Sequence, residues 1–178
     1  MGSSSGRDSD GPPGREPGPA TTRVRRSWYG HGTLTRVEKG PVNTFLHDVT
    51  YTFADVSLFG LPALFVVLLS ASEAGFGAVS TTMVAWMTIA VVAAAIRGGW
   101  ITPLATDTPG WVSMTWTLAG LRLLYYNVTI LVAAYGSVAL ALTLERPAAS
   151  LGIALVIATI ATVAFPRLAE SVSRRRAA

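Results

Sequence analysis

Four uncharged apolar runs dominate the pattern along the chain: residues 56–72, 78–96, 123–144 and 148–165. Each approaches the ~20 residues that carry a helix through a ~30 Å hydrocarbon core at about 1.5 Å per residue. A helix of a water-soluble domain keeps a polar face, and these runs keep none. The pattern predicts an all-α integral membrane protein, with a four-helix transmembrane bundle over 56–166. A disordered tail (1–26) and a cytoplasmic or interfacial segment (27–55) precede the bundle, and a basic tail (167–178) follows it.

The segment 41–55, PVNTFLHDVTYTFAD, carries a different rhythm. Phe45, Val49, Phe53 and Val56 recur at spacings of three and four, which is one stripe of a helix. Pro41 and Asn43 are start signals. This predicts a short amphipathic helix lying in the membrane interface and leading into the first span. Residues 1–26 are rich in Gly, Ser and Pro and have few apolar side chains. They bury too little surface to offset backbone entropy. No apolar segment of the signal-peptide kind follows their basic residues.

The third run raises a question of register. A helix started at Ser113 would extend about 48 Å and carry Arg122 deep into lipid. Starting after Arg122 leaves the guanidinium at the boundary, so residues 99–121 are expected to be a loop. Trp100, Trp111 and Trp116 in that loop suit interfacial anchoring, because an indole is apolar with one polar N–H. A re-entrant or pocket-covering loop is the sharper alternative. Threading the loop through the bilayer as a fifth span is opposed by Pro103, Asp107 and Pro109.

Composition agrees with the pattern. Charged residues make up 13% of the chain and hydrophobic ones 51%, against about 25% charged in soluble domains. The net charge of +4 sits in tails flanking apolar runs, so anionic lipid headgroups are the expected partner and nucleic acid is not. Cysteine is absent, which excludes disulfides, thiolate catalysis and iron–sulfur clusters. Lys39 is the only lysine beside many arginines, a usage that hints at a GC-rich prokaryotic genome.

Basic residues set orientation. With the N-terminus in the cytoplasm, Arg97, Arg122, Arg167 and Arg174 to Arg176 all fall on the cytoplasmic side. Arg146, Glu73 and Glu145 fall outside. Both termini are then cytoplasmic, and the plasma membrane is the expected location.

Candidate chemistry is sparse. His31 and His47 both precede the first run, so neither is placed to bind haem inside the bundle. No phosphate loop, dinucleotide fingerprint, HExxH or GxSxG motif occurs. No cofactor, metal or catalytic residue is expected. One cluster stands out: Asp55, Arg97 and Arg122 fall at the cytoplasmic ends of spans one, two and three. They could pair, or leave a guanidinium for an anionic headgroup. The plainer alternative is that the arginines snorkel as topological signals. Asn127 suits an interhelical hydrogen bond. Ser150, Ala154, Ala158 and Thr162 form a small-residue stripe that lets a helix of this chain, of a second copy or of another membrane protein approach.

Three functions fit these features: a non-enzymatic scaffold, accessory or assembly subunit; a small oligomeric transporter or channel lined by Thr81, Thr82, Thr88, Asn127 and Thr129; or an enzyme presenting His47 and Asp48 to lipid headgroups.

Overall fold

The computed structural model describes residues 24–26, 36–38, 41–106 and 110–177. Two three-residue strands, β1 (Val24–Arg26) and β2 (Arg36–Glu38), pair antiparallel with Arg25 opposite Val37. The remainder of the tail expected at 1–26, and His31, lie outside the described residues. The helices are α1 (Pro41–Leu69), α2 (Ala71–Arg97), α3 (Trp116–Leu131), α4 (Ser137–Thr143) and α5 (Ala149–Ala177). A π-helical turn, Val132–Gly136, joins α3 to α4 in one continuous rod. The molecule is thus an all-α bundle of four rods, and each is long and apolar enough to cross a membrane.

The four rods form a ring in which α2 packs on α1 and α5, and α3 packs on α1 and α5. Their inner faces are small or polar and their outer faces are bulky and apolar. On α1, Leu58, Leu61, Phe65 and Leu68 are exposed, at spacings of three and four. On α5, Ser150, Ala154, Ala158 and Thr162 are buried. The small-residue stripe is therefore buried within the chain's own bundle. Bulky apolar side chains turned outward on every rod suit lipid as the surrounding medium, while small inner residues let backbones approach. Gly60 marks one such approach: a Cβ there would stand 2.7 Å from Ile130 Cδ1.

Several boundaries differ from the sequence expectation. The expected break between an interfacial helix and span one is absent, because α1 runs unbroken from Pro41 to Leu69. Its buried face is Thr44, Asp48, Thr52 and Asp55. The polar side of the amphipathic segment faces the bundle, the reverse of an interfacial helix with its apolar stripe buried. A single residue, Ser70, separates α1 from α2, so the expected external loop at 73–77 is helical. The third span starts at Trp116, capped by Thr115, whose hydroxyl oxygen accepts from the Leu118 N–H at 3.4 Å. Arg122 therefore lies in the second turn of that span. Finally, α5 passes through Pro166 to Ala177, so the expected basic tail begins as packed helix: Ala169 and Glu170 are buried.

Several interhelical hydrogen bonds gather where helices are irregular. In α1, Pro62 interrupts the backbone ladder. There the Phe59 carbonyl accepts from Asn127 Nδ2 at 2.7 Å, and the Ala63 N–H donates to Asn127 Oδ1 at 2.6 Å. One carboxamide thus engages the two groups that a regular helix would pair with each other. At the π turn, where a backbone carbonyl loses its regular donor, Thr81 of α2 donates to the Ala134 carbonyl at 3.0 Å. Around Pro166, Tyr125 donates to the Ala161 carbonyl at 2.9 Å, and the Leu104 N–H to the Val163 carbonyl at 3.1 Å.

Candidate functional site

The charged side chains of the bundle gather at one end, where α1 and α3 begin and α2 and α5 finish. The connection from α2 to α3 closes this end. Gly99, with φ 76, turns the chain away from α2 in a left-handed conformation that suits glycine. The connection then folds inward: Pro103, Gly110, Trp111 and Val112 are buried, while Trp100 and Trp116 are exposed. Two of the three tryptophans thus keep the outward position of an interfacial anchor, and Trp111 instead plugs the bundle. Its ring lies 5.5 Å from that of Phe165, which also contacts Tyr125 and Tyr126 at 5.1 and 5.7 Å.

Beneath this plug lies Arg122, 1% exposed, against Asp55, 3% exposed. Arg122 Nη1 donates to Asp55 Oδ1 at 3.1 Å and to Met114 Sδ at 3.2 Å. Nη2 donates to the Val112 carbonyl. The Tyr126 hydroxyl donates to Asp55 Oδ2 at 3.3 Å. Arg122 and Tyr126 are four residues apart on α3 and so share a face. One guanidinium therefore ties α1, α3 and the connection together. A charge buried this completely is tolerable only with a partner and hydrogen bonds, and Arg122 has both.

Arg97 joins a different carboxylate. Its Nε lies 3.2 Å from Asp48 Oδ1, and its guanidinium carbon sits 3.9 Å over the Tyr51 ring. The three residues singled out from the sequence thus share one end of the bundle but divide between two pairs, Asp55–Arg122 and Asp48–Arg97. Asp48 and Asp55 are two helical turns apart on one face of α1, so the Asp55–Arg122 pair lies about 10 Å deeper in the bundle than Asp48–Arg97. A third contact fastens the connection to α5: Thr106 Oγ1 donates to Glu170 Oε1 at 3.0 Å, and Arg167 lies 3.5 Å from Glu170 Oε2.

Asp48, Trp111, Tyr126 and Glu170 were missed as parts of this network. The seven-residue spacing of Asp48 and Asp55, and the four-residue spacing of Arg122 and Tyr126, were the available signals. His47 and Asp48, paired in the headgroup-enzyme reading, are neighbours on different faces: Asp48 is buried and His47 half-buried. Among the described residues no group of three or more His, Asp or Glu is placed to hold a metal ion. Two cavities formed by described residues lie in apolar grooves, one of about 220 Å³ lined by Leu64, Val67, Thr82 and Trp86 and another of about 510 Å³ lined by Pro41, Val42, Phe45 and Trp100.

A family match spans this architecture: residues 39–172 match a family described as a domain of unknown function, DUF8215. The chain belongs to that family. The matched region starts just before α1 and ends within α5, so it holds all four rods, the connection and both arginine–aspartate pairs. No curated protein and no solved structure matches the chain.

Proposed function

We propose that this protein is a non-enzymatic component of the plasma membrane: a scaffold, accessory or assembly subunit whose buried charges serve its architecture. The observation that carries this reading is how the interior polar groups are used. Thr81, Thr82 and Thr88 donate to backbone carbonyls, and Asn127 bridges α1. These are four of the five side chains that a channel would need as its lining. Arg122 and Asp55 engage each other, Tyr126 and the connection. Ionisable groups inside membranes commonly mark transport paths, but here the charged groups hold helices and a loop. A protein partner would meet the outward faces of the rods, since the small-residue stripe of α5 is already covered.

Two assays separate this reading from the transporter. Purified protein in proteoliposomes is expected to give proton and ion fluxes no greater than empty vesicles. In mildly solubilised native membranes it is expected to migrate in a complex larger than one chain. A flux abolished by Asp55→Asn would replace the scaffold reading with a transporter, and migration as a lone chain would remove its basis.

The orientation proposed with it puts both termini in a prokaryotic cytoplasm, with the charged end facing anionic headgroups. Arg97, Arg122, Arg167, Arg174 and Arg175 belong to that end, while Arg146 lies in the turn before α5. This asymmetry follows the preference of cytoplasmic segments for arginine. The absence of native cysteine makes the test clean. In intact cells, Ala148→Cys should react with an impermeant maleimide and Thr102→Cys should not, both positions being exposed in the structure. The opposite labelling pattern would invert the orientation.

A further inference from the structure

Positive charge is unevenly matched along the chain. At the charged end of the bundle Arg97, Arg122 and Arg167 each lie against a carboxylate, that of Asp48, Asp55 and Glu170 respectively. The segment 23–39 differs. It carries Arg23, Arg25, Arg26, Arg36 and Lys39 against Glu38 alone, so it holds a net charge equal to the +4 of the whole chain. The register of β1 and β2 sets Arg26 opposite Arg36. Like charges directly opposite on paired strands destabilise the pairing, and a bound anion offsets that cost. β2 ends at Glu38, and α1 begins at Pro41. At that start lies the apolar groove of about 510 Å³, lined among the described residues by Pro41, Val42, Phe45 and Trp100. The rings of Phe45 and Trp100 meet edge to face at 6.3 Å, and Val42 and Trp100 are exposed. The 29 residues of α1 extend about 43 Å against a hydrocarbon core of ~30 Å, so its first turns overhang into the headgroup layer.

We propose that an anionic phospholipid binds where these two features adjoin, with its acyl chain in the groove and its phosphate at the β1–β2 pair. The proposal rests on the reading above that the charged end lies in the headgroup layer. The chemistry selects the ligand. The groove is apolar and the strand segment carries excess cation, and an amphiphile with an anionic head satisfies both. A free anion would leave the groove uncovered, and a zwitterionic lipid would bring its own cation toward the arginines. Arginine also suits phosphate, because its planar fork of donors matches two oxygens at once. Trp100 stands at the boundary between head and tail, where an apolar ring with one polar N–H is favoured.

The test is tryptophan fluorescence of full-length protein in phosphatidylcholine nanodiscs. A lipid brominated on its acyl chains is added in steps, either phosphatidylglycerol or phosphatidylcholine. Bromine quenches an indole that it touches, and Trp100 lines the groove. Brominated phosphatidylglycerol is expected to quench at a lower lipid fraction than brominated phosphatidylcholine. Trp100→Phe should remove that difference. Arg26→Gln combined with Arg36→Gln should raise the half-effective fraction of phosphatidylglycerol on the order of tenfold, as two arginines near an anionic surface contribute. The lipid comparison in the parent and in Trp100→Phe stands even if the double variant does not fold. Equal quenching by both lipids would overturn the site and leave the placement of the charged end intact. Quenching by neither would remove that placement as well. A preference that survives Trp100→Phe, or that is unchanged without the two arginines, would put the lipid elsewhere and overturn the proposal. So would a preference that millimolar inorganic phosphate abolishes, because the occupant would then be a free anion.

Discussion

Arg122→Gln is expected to cost about 3–5 kcal/mol of folding stability, the range found when one partner of a buried ion pair is removed. The shorter amide cannot span from Asp55 to the Val112 carbonyl, so both ends of the network are released. The Asp55 carboxylate stays buried, with the Tyr126 hydroxyl donating to it at 3.3 Å. A stability loss alone could come from any core change, so a second readout is specific to the connection. Val112 is 1% exposed, and Val112→Cys should therefore resist maleimide in the otherwise native chain. With Arg122→Gln in the same chain, the cysteine should react readily, because the donor that anchors this stretch is gone. Unchanged protection would show that Arg122 does not hold the connection.

Phe165→Ala is expected to be the second costly change, at about 3 kcal/mol. Phe→Ala in protein cores costs about 3–5 kcal/mol through lost transfer energy and the cavity left behind. Here the low end applies, because the unfolded reference in a membrane places the side chain in lipid and the transfer part shrinks. The cavity part remains. Phe165 is 0% exposed and contacts the rings of Trp111, Tyr125 and Tyr126. Removing it loosens α3, α5 and the plug together. Phe165→Leu should recover much of the loss, since it restores most of the volume. Thermal unfolding in detergent compares the three proteins, and equal stabilities for Phe165→Ala and the parent would contradict this packing.

The four spans were legible in the sequence because a run of some 18 apolar residues has few other uses. Where the runs begin was harder to read, and the reason is the same at each place. In α1, the stripe of Phe45, Val49, Phe53 and Val56 suits a helix lying in the interface, yet the face that the bundle buries is Thr44, Asp48, Thr52 and Asp55. The spacing says only that these residues share a face. Whether that face meets water or protein depends on Arg97 and Arg122, which arrive from far along the chain. Arg122 was placed at the boundary because an unpaired guanidinium in lipid is expensive. Its partner makes an interior position tolerable, and the helix then starts seven residues earlier than the apolar run.

The candidate cluster was legible to a similar depth. Asp55, Arg97 and Arg122 could be assigned to one end of the bundle from span polarity alone. Which carboxylate each arginine takes depends on the rotation of α1 about its axis. No run of apolar residues reports that rotation, although the spacing from Asp48 to Asp55 hinted at two pairs on one face. Trp111 was read with Trp100 and Trp116 as an anchor. Composition treats the three alike, and only the inward turn of the connection separates them.

The account rests on Asp55 and Arg122 acting as one structural unit, and a double-mutant cycle measures that directly. Asp55→Leu, Arg122→Met and the double change are compared with the parent by equilibrium unfolding in detergent. Each single change leaves a lone buried charge, whereas the double change leaves none, and apolar replacements of buried pairs are often close to neutral. The double variant is expected to be more stable than either single one, with a coupling of at least ~2 kcal/mol, toward the upper part of the range for contacting residues. Costs that add without coupling would mean that the two residues do not interact, and the clamp at the charged end of the bundle would not exist.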